Sequence, residues 1–239
     1  MRRHKRVVPY SAYDVPAMEY WLEEMARKGL HLDNIVGQYA WFVKGEPAEV
    51  RYRLEPWHEN GPKVDDEMEA MYETAGWEYV QQMLVENFHL WRSTRPDARE
   101  LHDDPIVQSY GFAWAEKRVK RIFLICMAVF LVLLVFLVGV EWYDRTRPWP
   151  YPWPREGRDL MYWIRICPSS MLCISAILGM LTDYLAVRRV KKCLQEGIPM
   201  ERRWGGFPYR RALFWGLLLG ITLYVVVSFC IVFVKYGMA

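Results

Sequence analysis

Little in this sequence serves thiol or imidazole chemistry: its 239 residues include five cysteines and five histidines, and neither set is clustered. Cys126, Cys167, Cys173 and Cys230 fall in apolar runs and Cys193 in a basic stretch, with no C-x-x-C pair. That excludes a disulfide framework and leaves the thiols as small hydrophobes. His4, His31, His58, His89 and His102 lack the His-Glu-x-x-His spacing of a zinc hydrolase. Glycine-rich phosphate loops are missing as well, since neither G-x-x-x-x-G-K-[ST] nor G-x-G-x-x-G occurs and Trp204-Gly-Gly-Phe207 has no strand before it. His58-Glu59 and His102-Asp103-Asp104 remain as polar candidates, and both read as solvated loops. The expectation is therefore no enzyme, no metal and no cofactor. A sustained apolar signal-peptide core is also lacking near the N-terminus, where the charged tip reaches Val7, Val8, Pro9 and Tyr10 before Asp14.

Charge is present but divided. Residues 1–116 carry 13 Lys/Arg against 21 Asp/Glu, and residues 117–239 carry 18 against 7. An acidic first half is unsuited to neutralising phosphates, so nucleic-acid binding is not expected, and the basic tip Arg2, Arg3, Lys5, Arg6 reads as a solvated terminus.

The basic half contains the long apolar runs. Ile122 to Val140 is uncharged over 19 residues, and at about 1.5 Å per residue it matches a hydrocarbon core of roughly 30 Å. Ala212 to Val234 is a second such run, and the uncharged stretch from Ile166 to Thr182, between Arg165 and Asp183, is a third. Three transmembrane helices are expected, over about residues 119–141, 160–187 and 212–235. Arg165 and Asp183 read either as snorkelling interface residues or as a charged track.

Orientation follows from the basic flanks. Lys117, Arg118, Lys120 and Arg121 precede the first run, and Arg188 to Arg211 holds eight Lys/Arg. The expected arrangement is a multi-pass cell-membrane protein with its N-terminus cytoplasmic and its C-terminus outside. Arg188, Arg189, Lys191, Lys192, Arg202 and Arg203 are expected to meet lipid headgroups. Ser175-x-x-x-Gly179 and Gly216-x-x-x-Gly220 suit close helix packing, within the chain or between copies. The outer Arg147-Pro-Trp-Pro-Tyr-Pro-Trp-Pro154 is an extended segment, either an interfacial aromatic belt or a Pro-rich ligand.

The acidic half repeats itself. Asp14 is placed to cap a helix with Met18, Trp21, Leu22 and Met25 on one face, ending at Gly29. Asp65 or Asp66 starts another, with Met68, Met71, Tyr72 and Ala75, ending at Gly76. Around these lie strand-like runs at Arg6–Tyr10, Leu30–Val36 and Tyr39–Lys44, then Glu49–Glu55, Trp77–Val85 and Phe88–Arg92. The pattern is β-α-β-β twice, an α+β fold with helices on one face of a mainly antiparallel sheet. The domain is expected over 1–95, a polar connector over 96–116 and the membrane part over 117–239. Because alternate strand residues face opposite sides, Trp41 and Phe42 cannot share a face. The aromatic set Tyr39, Trp41, Phe42, Phe88 and Trp91 is a candidate docking surface.

Trp21-Leu-Glu-Glu-Met-Ala-Arg-Lys-Gly29, Lys44-Gly-Glu-Pro47, Arg51-Tyr-Arg-Leu54 and Gly76-Trp-Glu-Tyr-Val80 together resemble the bacterial domain of unknown function twenty-eight-twelve family, over about residues 5–95. Leu30 departs from the Gly-Trp pair of that pattern. The resemblance implies a fold, membrane helices after the domain and genes encoded beside PadR-type regulators; it implies no catalytic residues. The expected role is a membrane-anchored cytoplasmic interaction or sensory module with a protein partner or homo-oligomer, the alternative being an accessory subunit of a transporter or other membrane complex.

Overall fold

The computed structural model describes residues 3–57, 64, 66–83, 87–102, 104–146 and 155–198, with Gly216, Gly220 and Tyr224 as isolated helical positions; over 155–173 it describes the backbone alone. The chain forms two compact units, one of Met1–Lys120 with Thr182–Arg211 and the other of Arg121–Leu181 with Ala212–Ala239.

The first unit holds β1 (Arg3–Val7), α1 (Val15–Arg27), β2 (Leu30–Val36) and β3 (Tyr39–Lys44), then β4 (Arg51–Pro56), α2 (Asp66–Thr74), β5 (Glu78–Met83) and β6 (Phe88–Ser93). The duplicated β-α-β-β pattern is present, but its strands form two separate antiparallel sheets, ordered β1-β3-β2 and β4-β6-β5. Where a single sheet was expected, each repeat pairs only with itself. The edges β2 and β5 meet through a side chain: the Ile35 N–H donates to Gln81 Oε1 at 2.8 Å, and Gln81 Nε2 donates to the Ile35 carbonyl at 2.9 Å. An amide side chain thus stands in for a ladder bond between the two edges.

The repeats agree register by register. The row His4–Phe42–Leu32 corresponds to Arg53–Trp91–Tyr79, and the row Lys5–Trp41–Asn34 to Leu54–Leu90–Gln81. Each bulge falls four residues after a helix-ending glycine, at Asp33 after Gly29 and at Val80 after Gly76. Both glycines have positive φ, +73° and +92°, which lets the chain leave the helix in a left-handed turn.

Local departures have physical reasons. Asp14 occupies the position before α1, but its side chain makes no capping bond. β1 lies three residues earlier than expected, because Val8 and Tyr10 are buried in the core beyond the strand. In α2, Tyr72 points inward while Met71 is 59% exposed.

Two long helices follow, α3 (Pro105–Thr146) and α4 (Arg155–Gln195). α3 begins inside the expected connector, where Asp104 Oδ1 accepts the Ile106 N–H at 2.8 Å. Within it, Pro105–Val140 is long and apolar enough to cross a membrane, and Val132, Val135 and Phe136 are exposed along it. Among the described residues it is the one helix that meets this criterion. α4 is helical through the second expected span and through Arg165 and Asp183. The third expected span lies outside the described residues apart from Gly216, Gly220 and Tyr224, as do Arg202, Arg203, Trp204–Phe207 and the Pro-aromatic segment.

Candidate functional site

β4 is the hub of the first unit. It is an edge strand, so the outward N–H groups of Tyr52 and Leu54 need acceptors. Two carboxylates of α1 supply them: Glu19 Oε1 accepts from Leu54 at 2.8 Å and Glu23 Oε1 from Tyr52 at 3.4 Å. The spacing is what makes this work, since residues i and i+4 of a helix lie about 6 Å apart, close to the repeat of alternate strand residues.

Between those two residues, Arg53 turns to the helix-covered face of its sheet and is buried. Its Nη1 lies 3.6 Å from Glu19 Oε2 and 3.6 Å from Glu23 Oε1. Its Nε donates to Glu100 Oε2 at 2.9 Å and its Nη2 to Glu100 Oε1 at 2.8 Å, a bidentate pair. Arg51 also reaches Glu100 and donates from Nη1 to the Ala98 carbonyl at 2.7 Å. The Trp77 ring lies 5.1 Å from each guanidinium, and its indole N–H donates to the Arg99 carbonyl at 2.6 Å.

Burial pushes the Glu19 carboxyl up to about 8, against the opposing pull of Arg53. Burial also raises Glu23. Glu100 goes the other way: burial alone would raise it, but the hydrogen bonds and charges of Arg53 and Arg51 hold it below the ordinary carboxylate range. Arg53 is raised, because Glu19 and Glu100 outweigh the desolvation that would lower it. With Glu19 protonated, the guanidiniums of Arg51 and Arg53 face the carboxylates of Glu23 and the half-exposed Glu100, and the charges balance.

The same strand face continues to Glu55. His102 Nε2 donates to Glu55 Oε1 at 2.6 Å, and this bond raises the imidazole above its ordinary value. Thus Arg51, Arg53 and Glu55, alternate residues of one strand, fasten residues 98, 100 and 102. The segment expected to be a polar connector is a strap held along β4, and His102, expected in a solvated loop, is a partly buried loop residue bonded to Glu55. Beside it, Trp57 stacks on His89 with centroids 5.9 Å apart, and Trp91 packs against Tyr72 and Tyr79. The indole N–H groups of Trp57 and Trp91 are buried and find no acceptor among the described residues.

The strap leads directly into α3, whose root closes the core. Phe112, Ala115 and Val119 of α3 and Ala186, Val187, Val190 and Leu194 of α4 belong to one buried cluster with α1, β4 and β6. Phe112 meets Phe88 at 6.1 Å, and Lys191 Nζ donates to Glu116 Oε2 at 2.8 Å. The unit therefore extends past the expected boundary at residue 95. Lys191, expected at lipid headgroups, is instead paired within this unit, while Arg188, Arg189 and Lys192 are exposed.

The expected docking set divides by strand face. Phe42 packs edge-on against Trp21, Trp91 lies under α2 and Phe88 faces the α3 root; all three are fully buried and offer no docking surface. Tyr39 and Trp41 stay half-exposed on the other face of the first sheet. Of the small-residue pairs, Ser175 and Gly179 lie on α4 and Gly216 and Gly220 are helical. His58-Glu59 lies outside the described residues. Among the described residues, no group of three or more His, Cys, Asp and Glu is placed to hold a metal. The cluster around Arg53 went unread in the sequence, although Glu19 and Glu23 form a like-charge i,i+4 pair that a solvated helix face would disfavour.

Fold and site together define a duplicated α+β domain whose strap and core continue into the roots of two long helices, one with the length and composition of a membrane span. Residues 14–128 match the model of the family described as protein of unknown function (DUF2812). The match takes in Glu19, Glu23, Arg53, Glu100 and the α3 root. No curated protein and no solved structure matches the chain.

Proposed function

We propose that this chain is a membrane-anchored cytoplasmic interaction or sensory module, in which events at the duplicated domain are relayed to the long helices. One observation carries the reading: Phe112, Val187 and Leu194, from the roots of α3 and α4, are fully buried core residues of the domain. A domain tethered by a solvated linker would move independently of its anchor, whereas one that shares a core with its anchor transmits packing changes to it. The basic flanks support three spans with the N-terminus cytoplasmic and the C-terminus outside.

Photo-crosslinking side chains placed in living cells at Trp41 on the domain and at Leu131 on α3 test this. A partner captured at Trp41 supports the module reading. Capture at Leu131 alone replaces it with an accessory subunit that recognises its complex through the membrane.

A further inference from the structure

We propose that the uncovered face of the first sheet receives helix α2 of a second copy of this chain; the proposal rests on the module reading above and names its partner. The internal duplication shows what this face accommodates. In the second repeat the corresponding face carries Leu54, Phe88 and Leu90, all buried, and Phe88 packs against Phe112 of a helix. In the first repeat Tyr39 stands at the place of Phe88 and Trp41 at that of Leu90, and both are half-exposed, with Val36 beside them 57% exposed. A surface that is helix-covered in one repeat is open in the other.

Charge selects the occupant. β1 lines the open face with the exposed cations Arg3 and Lys5, and Lys5 Nζ sits 3.6 Å over the Tyr39 ring and 5.7 Å from that of Trp41. Arg3 also pairs with Asp33 at 2.9 Å, which leaves Lys5 as the cation over the aromatic surface. α2 is the complement: Asp66 and Glu67 lie one turn before the small, exposed Ala70 and the exposed Met71, on the same side of the helix. Within one chain α2 packs on its own sheet through Tyr72 and Trp91, so it meets the first sheet's open face only in trans. Met71 would seat against Trp41 and Tyr39, with Glu67 toward β1. Such a contact is head-to-tail, so it builds a ring or a row of copies rather than a symmetric pair.

Differently tagged full-length copies carrying Trp41→Cys or Met71→Cys, co-expressed and treated with a short bis-maleimide, give the test. The expected result is a mixed crosslink well above that of the unsubstituted protein. It should fall severalfold when Lys5→Glu is added to the first copy and return when Glu67→Lys is added to the second. Val36→Cys, on the same face, repeats the experiment at a site of greater exposure and covers any loss of folding at Trp41. No mixed crosslink at either site in folded protein overturns the proposal, and so does a Trp41→Cys copy that crosslinks only to itself, which would mean face-to-face pairing. A different protein captured at Trp41 would keep the module reading while removing this partner.

Discussion

Arg53 on β4 holds Glu100 on the strap through two parallel hydrogen bonds of 2.9 and 2.8 Å, joining the edge strand to the segment that opens helix α3. Arg53 also faces Glu19 and Glu23. Its removal would take the facing cation away from the buried Glu19 and Glu23, while Glu100 keeps Arg51, so Arg53→Met should cost about 3–5 kcal/mol of unfolding free energy. Denaturant titration of the detergent-solubilised chain measures it; a loss under about 1 kcal/mol would mean that the cluster is dispensable.

Glu19 gives a pH dependence of definite sign. Its folded carboxyl lies near 8 against an ordinary 4.5, so the folded chain holds the extra proton between those values, and stability falls as pH rises through that window. Glu19→Gln keeps a carbonyl for the Leu54 N–H and removes the titration. Relative to the native chain, the variant should gain about 1–3 kcal/mol between pH 5 and 8.5. Melting curves across that range check it, and parallel profiles would contradict it.

His102 acts in the same direction for a different reason. The Glu55 hydrogen bond raises the imidazole above its ordinary 6.5, so its stabilisation is complete below that value and is lost as pH climbs through the folded one. His102→Ala should cost about 1.5–3 kcal/mol at pH 5.5, with the deficit shrinking above pH 7. A deficit independent of pH would show that only packing was lost.

Gly29 and Gly37 separate backbone strain from crowding. Both have positive φ, but a Cβ on Gly29 would lie 2.6 Å from the Gly45 carbonyl oxygen, whereas one on Gly37 meets nothing within 4 Å. Gly29→Ala should destabilise by about 2–4 kcal/mol and Gly37→Ala by about 1–2 kcal/mol. Equal costs would locate the whole effect in φ.

The parts of this fold set by local rules were legible in the sequence. Gly29 and Gly76 end helices at a left-handed φ, and period-two geometry puts Trp41 and Phe42 on opposite faces, although which of them is buried came from the structure. Pairing partners were not legible, because the alternation in Tyr52 and Leu54 fits a strand in one sheet of six as well as in two of three. The strap was hidden for another reason. Arg51, Arg53, Glu55, Glu100 and His102 read as solvent-facing until their partners, 47 residues away for Arg53–Glu100 and for Glu55–His102, are known. The same holds for Lys191, whose partner Glu116 is 75 residues distant. Long-range polar pairing leaves no periodic trace.

The central claim is that the domain and its helices share one core. Hydrogen exchange on full-length protein carrying Leu194→Ala, at the α4 root, tests it most directly. Exchange at Leu54 and Leu90, amides of β4 and β6 in the same buried cluster, should speed up in keeping with a loss of about 2–5 kcal/mol. Unchanged protection at those amides, with exchange faster only along α4, would mean that the helix merely rests against the domain and that the relay does not exist.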